Sequence, residues 1–287
     1  KKSLIKQSMK IGIVGLGLIG GSLGLKLQSL NHTIYGIANN ELNKIKAKER
    51  NLANFVSCDL SLLRNCELIF LALPIKDLIS PSDRLLASIP RETIVTDVAS
   101  IKEPIVNKWE KLHPLFIGSH PMAGTEKKGV DSGFESLFKN AKWIITPTQN
   151  SDLNAFKNIS KIIKSMNCEI CQASPKEHDE AVSLISHLPI FLASALIETT
   201  HTKNNQSLLE LAQKLAATGF ADTSRVGSGN EQLGLDLAMN NQINILNAIK
   251  NFKNNLNTLE SLIKQKNWEL LSEKLAEAKE IRKKFIN

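Results

Sequence analysis

Gly15, Gly17 and Gly20 stand in the spacing G-x-G-x-x-G, with Leu18 and Ile19 between the last two. Residues 10–14 read as a β-strand, and a helix is expected to begin near Gly20 with Gly21 and Ser22 in its first turn. In that setting the first glycine permits a tight turn. The second lets the backbone approach a pyrophosphate, and the third allows close helix–strand packing. The helix N-terminus attracts the anion. The expected ligand is a nicotinamide dinucleotide, and taking a hydride from an alcohol then requires a base for the hydroxyl proton. His120, within Gly118-Ser-His-Pro-Met-Ala-Gly124, is the candidate because imidazole titrates near neutral pH. Ser100, within Asp97-Val-Ala-Ser-Ile-Lys102, is suited to hydrogen-bond that imidazole or the substrate hydroxyl.

These residues need a scaffold that sets them along one edge. Short aliphatic runs at 10–14, 33–37, 68–73, 94–97, 115–118 and 143–146 alternate with helical patterns at 20–30, 41–50, 76–88 and 101–111. That alternation predicts an α/β fold with a parallel sheet covered on both faces. Residues 1–173 are therefore expected to form a Rossmann-type, doubly wound dinucleotide-binding domain. Beyond Ala173-Ser-Pro175 no strand pattern is found, and apolar residues recur at three and four. Residues 174–287 are expected to form an all-α C-terminal dimerisation domain, whose apolar helix faces imply a homodimer.

Ligands of doubly wound sheets sit off the carboxyl ends of the strands. Leu73 and Pro74 are placed to lie along the cofactor, and Ala38, Asn39 and Asn40 follow the second strand. NAD enzymes usually carry an acid there for the ribose hydroxyls. Its absence, with Lys44 and Lys46 nearby, favours NADP, although the usual arginine is also missing.

Composition narrows the class. The 287 residues carry 36 Lys and Arg against 28 Asp and Glu, a formal charge of +8. The lysines are spread along the chain and only one tyrosine is present for stacking, so nucleic acid is not the expected partner. No uninterrupted apolar run reaches the length of a membrane span, and residues 1–30 read as strand, turn and helix, not as a signal peptide. Four cysteines in so long a chain suit a reducing, cytoplasmic setting. Cys168 and Cys171 read as packed thiols, with no second pair at zinc spacing, so no metal is expected.

Several motifs together resemble the prephenate/arogenate dehydrogenases of tyrosine biosynthesis. They are Gly-Leu-Gly-Leu-Ile-Gly-Gly-Ser at 15–22, Asp97-Val-Ala-Ser-Ile-Lys102 and Ser119-His-Pro-Met-Ala-Gly124. His178-Asp179, Ser186-His-Leu-Pro189 and Gly219-Phe-Ala-Asp-Thr-Ser-Arg225 continue the series into the second domain. The resemblance implies oxidative decarboxylation of a cyclohexadienol, with His120 as hydrogen-bond acceptor and Ser100 as its neighbour. It implies Arg225 on a substrate carboxylate, and His187 and Ser186 lining the substrate pocket. His178 and Asp179 read as helix-start residues, and Lys102 either as a ligand contact or as a solvated lysine.

The chain departs from the family at two places. Ile190 stands where many prephenate-using members have histidine after Ser-His-Leu-Pro, and Ala221 replaces an arginine. With Thr-Ser-Arg-Val-Gly at 223–227, these features resemble the NADP-dependent branch that uses arogenate. The alternatives are a prephenate dehydrogenase giving 4-hydroxyphenylpyruvate with NAD or NADP, and a catalytically silent NADP-binding sensor. β-Hydroxyacid dehydrogenases share the architecture but usually place a catalytic lysine in the helical half.

Overall fold

The computed structural model describes residues 8–125, 127–201 and 205–286. Its first half follows the alternation of the sequence: β1 (Lys10–Val14), α1 (Leu18–Ser29), β2 (Thr33–Ile37), α2 (Glu41–Glu49) and β3 (Phe55–Ser57). β4 (Leu68–Leu71), α3 (Ile75–Ile79), α4 (Asp83–Ser88), β5 (Ile94–Asp97) and α5 (Glu103–Leu112) come next. The sheet is completed by β6 (Phe116–Pro121), β7 (Lys142–Thr146), α6 (Leu153–Ser165) and β8 (Glu169–Gln172). The expected single helix at 76–88 is two short ones, because Pro81 lacks an N–H and keeps the residue before it, Ser80, out of the helical region.

Eight strands form one sheet in the order β3-β2-β1-β4-β5-β6-β7-β8. β1 to β6 run parallel, and β7 pairs antiparallel to β6, with β8 parallel to β7. The sequence reading expected parallel strands throughout. Among the described residues, the connection from Pro121 to Lys142 holds only a short 3-10 helix, Glu135–Phe138, and no crossover α-helix of the kind that joins parallel strands, so β7 runs the other way.

Burial follows the two-residue period of a strand. Ile11 and Ile13 of β1, with Leu68 and Phe70 of β4, join Leu23, Trp143 and Ile159 on one face. Val14, Ile69 and Leu71 join Ile105, Trp109 and Phe116 on the other. That second core also takes in Leu237 and Ile245, so the helical half shares it.

The helical half comprises α7 (Pro175–Val182), α8 (Leu188–Thr200), α9 (Gln206–Leu215), α10 (Thr218–Ser224), α11 (Glu231–Asn240), α12 (Gln242–Lys264) and α13 (Trp268–Lys283). Ser174 starts α7 with a capping box to Glu177, and a π-helical turn at Ser183–His187 leads into α8. The run Pro175–Thr200 is long and apolar enough, by length and composition, to cross a membrane, which the sequence reading did not anticipate. Its first turns are instead bonded into the dinucleotide-binding half, as described below. Leu211, Leu215, Met239, Ile243, Leu246 and Ile263 leave apolar surface exposed on α9, α11 and α12.

α1 packs so tightly that one glycine is obligatory. A Cβ on Gly24 would lie 1.8 Å from the Leu52 carbonyl oxygen. Alanine there gains about 1 kcal/mol of helix propensity. It must also push a backbone carbonyl aside, and overpacking of this kind costs about 1–3 kcal/mol. Gly24→Ala is therefore expected to lower the melting temperature; an unchanged or raised value in a thermal scan would contradict the packing.

Candidate active site

The glycine loop has the shape its sequence implies. Gly15 adopts φ +94°, and a Cβ there would lie 2.3 Å from the Ala72 carbonyl oxygen at the end of β4. A Cβ on Gly20 would lie 1.8 Å from the Gly15 carbonyl oxygen, whereas one on Gly17 would meet nothing within 4 Å. Open space thus stands over the middle glycine. Gly17 caps α1 without a side-chain hydrogen bond, and the first turn carries no acid. Its N–H groups and dipole are free to hold an anion, so the loop fits a dinucleotide pyrophosphate. Leu18 and Ile19 are half-buried, and the Leu73 side chain approaches Gly15, with Pro74 following as the cap of α3.

At the end of β2, Ala38 is buried while Asn39 and Asn40 are exposed. Asn40 caps α2 through the Asn43 N–H, and Asn39 accepts from the Asn43 side chain at 2.7 Å. Lys44 lies 2.6 Å from Glu41, and Lys46 lies 2.7 Å from Asp131. Both lysines flagged in the sequence therefore have carboxylate partners.

His120 lies inside β6, one residue from its end, and is 9% exposed. Its Nδ1 is 2.9 Å from Nε2 of His178, and Nδ1 of His178 is 2.7 Å from Oδ1 of Asp179. Asp179 also accepts from the backbone N–H of Lys102 at 2.7 Å and of Glu103 at 2.8 Å. It thereby caps α5, whose own N-cap residue, Lys102, makes no side-chain capping hydrogen bond. This corrects the reading of His178 and Asp179 as helix-start residues: Ser174 does that work, and the pair reaches across to His120 and α5. Lys102 needs correction too. It is not solvated but 0% exposed, ion-paired with Asp97. Asp97 further accepts from the N–H of Ala99 and Ser119, which fixes the turn that carries Ser100.

Ser100 is half-buried and makes no hydrogen bond to His120 among the described residues; its backbone faces His187 instead. His187 is 0% exposed, with Nδ1 3.2 Å from the Asn241 amide, and Ser186 beside it is half-buried. Asn241 also donates to the Asp179 carbonyl at 2.9 Å. Arg225 is exposed at the start of a 3-10 turn that packs on α8, and among the described residues no hydrogen bond or ion pair joins it to His120.

Burial lowers the proton affinity of His120 well below the usual histidine range, with His178, Lys102 and His187 adding to the effect. Burial likewise brings His187 down to about 4, against the opposing pull of Asp179. Burial also lowers Lys102, opposed by Asp97 and then Asp179. A base whose affinity falls on folding binds its proton more readily in the unfolded chain, so its contribution to stability is intact above the unfolded pKa and lost as pH falls below it. From an unfolded value near 6.5, His187 alone is expected to remove about 2 kcal/mol by pH 5. Urea denaturation at pH 7 and pH 5 measures this; the drop should shrink in His187→Gln, and an equal drop in that variant would contradict the assignment.

Residues 22–172 match the family model for the nucleotide-binding domain of prephenate dehydrogenase, and residues 174–277 match that for its dimerization domain. The prephenate dehydrogenase of Bacillus subtilis (strain 168) is 31% identical over 278 residues, covering 94% of this chain and 74% of the relative. The crystal structure of Synechocystis arogenate dehydrogenase matches with a TM-score of 0.86 at 38% identity, covering 97% of this chain and 100% of that one. Prephenate dehydrogenase from A. aeolicus, in complex with hydroxyphenyl propionate and NAD+, matches with a TM-score of 0.90 at 27% identity. That match covers 99% of this chain and 100% of the other. With matching models across both halves, this chain belongs to the prephenate/arogenate dehydrogenase family.

Proposed function

We propose that the protein is an NADP-dependent arogenate dehydrogenase, converting arogenate to tyrosine by oxidative decarboxylation. The observation that carries the chemistry is the chain His120–His178–Asp179. Asp179 takes three N–H donors and acts as an acceptor, so Nδ1 of His178 carries the proton between them. Nε2 of His178 is then a lone pair and accepts from Nδ1–H of His120. The remaining nitrogen of His120, Nε2, is left as the base, and it is not sealed off as Nε2 of His187 is.

A nicotinamide dinucleotide held by its pyrophosphate at the glycine loop would supply the acceptor for the hydride on C4 of the substrate. His120 Nε2 takes the C4 hydroxyl proton, the bond from the ring to its carboxylate breaks, and carbon dioxide leaves as that electron pair makes the ring aromatic and passes to the C4 oxygen, which takes the proton back. Aromatisation supplies the driving force, so the protein's part is orientation and one proton transfer. Ser100, held by the Asp97 turn, lines the hydroxyl side. Arg225 pairs with a substrate carboxylate through its planar fork, and Ser186 and His187 close the pocket.

Arogenate is favoured over prephenate by Ile190 and Ala221, which remove polar side chains from the substrate side. NADP is favoured because β2 ends without an acid and the first one after it, Glu41, is drawn to Lys44 and Cys58. The enzyme acts as a cytoplasmic homodimer, joined through the exposed apolar faces of the helical half.

Two measurements test this. His120→Asn is expected to lower kcat by about 10²–10⁴-fold, with dinucleotide affinity retained. The acid limb of the wild-type kcat/KM profile should fall well below pH 6.5, since the neutral ring is the active form. Retained turnover in the variant would contradict the role of His120, and a wild type that binds dinucleotide without turnover would fit a silent sensor. Absorbance of the reduced nicotinamide, followed with arogenate or prephenate and with NADP+ or NAD+, tests the specificity. Faster turnover with arogenate and NADP+ is expected, and a clear preference for prephenate or for NAD+ would overturn that part.

A further inference from the structure

The chain leaves β6 at Pro121, directly after His120, and next makes close contact with α1 at Gly133. In the sheet, β5 and β4 lie between β6 and β1. The connection therefore passes the carboxyl edge of those two strands, at the reversal of strand order where doubly wound sheets hold their ligands. Its far end is fastened firmly. A Cβ on Gly133 would sit 2.9 Å from the Ser22 nitrogen, and the Phe134 N–H donates to Ser22 Oγ at 2.9 Å. Ser22 in turn donates to the Leu18 carbonyl in the first turn of α1, at 2.6 Å.

Irregular backbone pressed against a helix needs partners for its carbonyls. Here one side chain supplies them. Arg50, at the end of α2, donates from Nη1 to the Val130 carbonyl and from Nη2 to the Gly133 carbonyl at 2.7 Å. Val130 and Ser132 are buried, so water is not freely available to replace these donors. Lys46, one turn earlier, adds the ion pair to Asp131.

We propose that Arg50 is a positioning residue for dinucleotide binding. Its guanidinium fork fastens the strap that runs from the proton acceptor to the first turns of α1, and so holds the glycine-loop helix and the His120 strand as one unit. A lysine is a point donor and cannot span both carbonyls in the same geometry. The inference rests on the dinucleotide binding at the glycine loop.

The full chain is titrated calorimetrically with NADP+ and with NAD+, as wild type, Arg50→Met and Arg50→Lys. Hydrogen exchange at residues 129–134 is followed with and without saturating dinucleotide. In Arg50→Met the Kd for the preferred dinucleotide should rise at least about tenfold, with kcat at saturation within about twofold of wild type. Arg50→Lys should fall between the two, and it carries the test if Arg50→Met does not fold. By linkage, dinucleotide should slow exchange at residues 129–134 in the wild type and do so less in the variants. Unchanged Kd and unchanged ligand-dependent protection in a folded variant would overturn the role of Arg50 alone. A wild type that binds neither dinucleotide would overturn the placement of the dinucleotide, and this inference with it.

Discussion

The Asp179 carboxylate, 1% exposed, holds together parts of the molecule that are remote in sequence. A buried carboxylate is costly unless every lone pair that matters is met. Asp179 meets this by accepting the first free N–H groups of α5 and the imidazole N–H of His178. The dependence is mutual, because α5 has no side-chain cap of its own. Moving α7 away would expose a charge to an apolar interior and leave a helix terminus bare. The helical half is thereby registered to the dinucleotide half at His120, not only through the shared apolar core.

A buried charge pair stiffens the same junction. Lys102 and Asp97 face each other without solvent, and the Lys102 backbone also donates to Asp179. Buried pairs of this kind add little net stability, since desolvation offsets the attraction. Their value here is positional and electrostatic. Asp97 organises the turn bearing Ser100, and the Lys102 ammonium disfavours a proton on His120. A base in the role proposed for His120 must be neutral before it can act, and burial beside Lys102 favours that form.

What was legible in the sequence was what local spacing dictates. The glycine loop is a strand–turn–helix signal complete within eleven residues, so its shape and function could be read together. His120 was legible as an imidazole beside a strand end. His178 was not, because it lies 58 residues from His120 and the packing of α7 brings them together. Adjacent His and Asp after a separate capping box, Ser174 with Glu177, were the available signal, since residues not needed as caps must serve elsewhere. Lys102 was unreadable for a related reason: its partner Asp97 is five residues back, on a different element. The antiparallel β7 depended on where a long connection travels, which hydrophobic pattern does not encode.

The central claim is a proton arrangement, with hydrogen on Nδ1 of His120 and a free lone pair on Nε2. Long-range proton–nitrogen NMR of the histidine rings in ¹⁵N-labelled protein reads it directly, with His120→Asn assigning the signal. At pH 7 a neutral His120 protonated on Nδ1 is expected, staying so well below the usual histidine titration. A ring protonated on Nε2, or an imidazolium at pH 7, would contradict it.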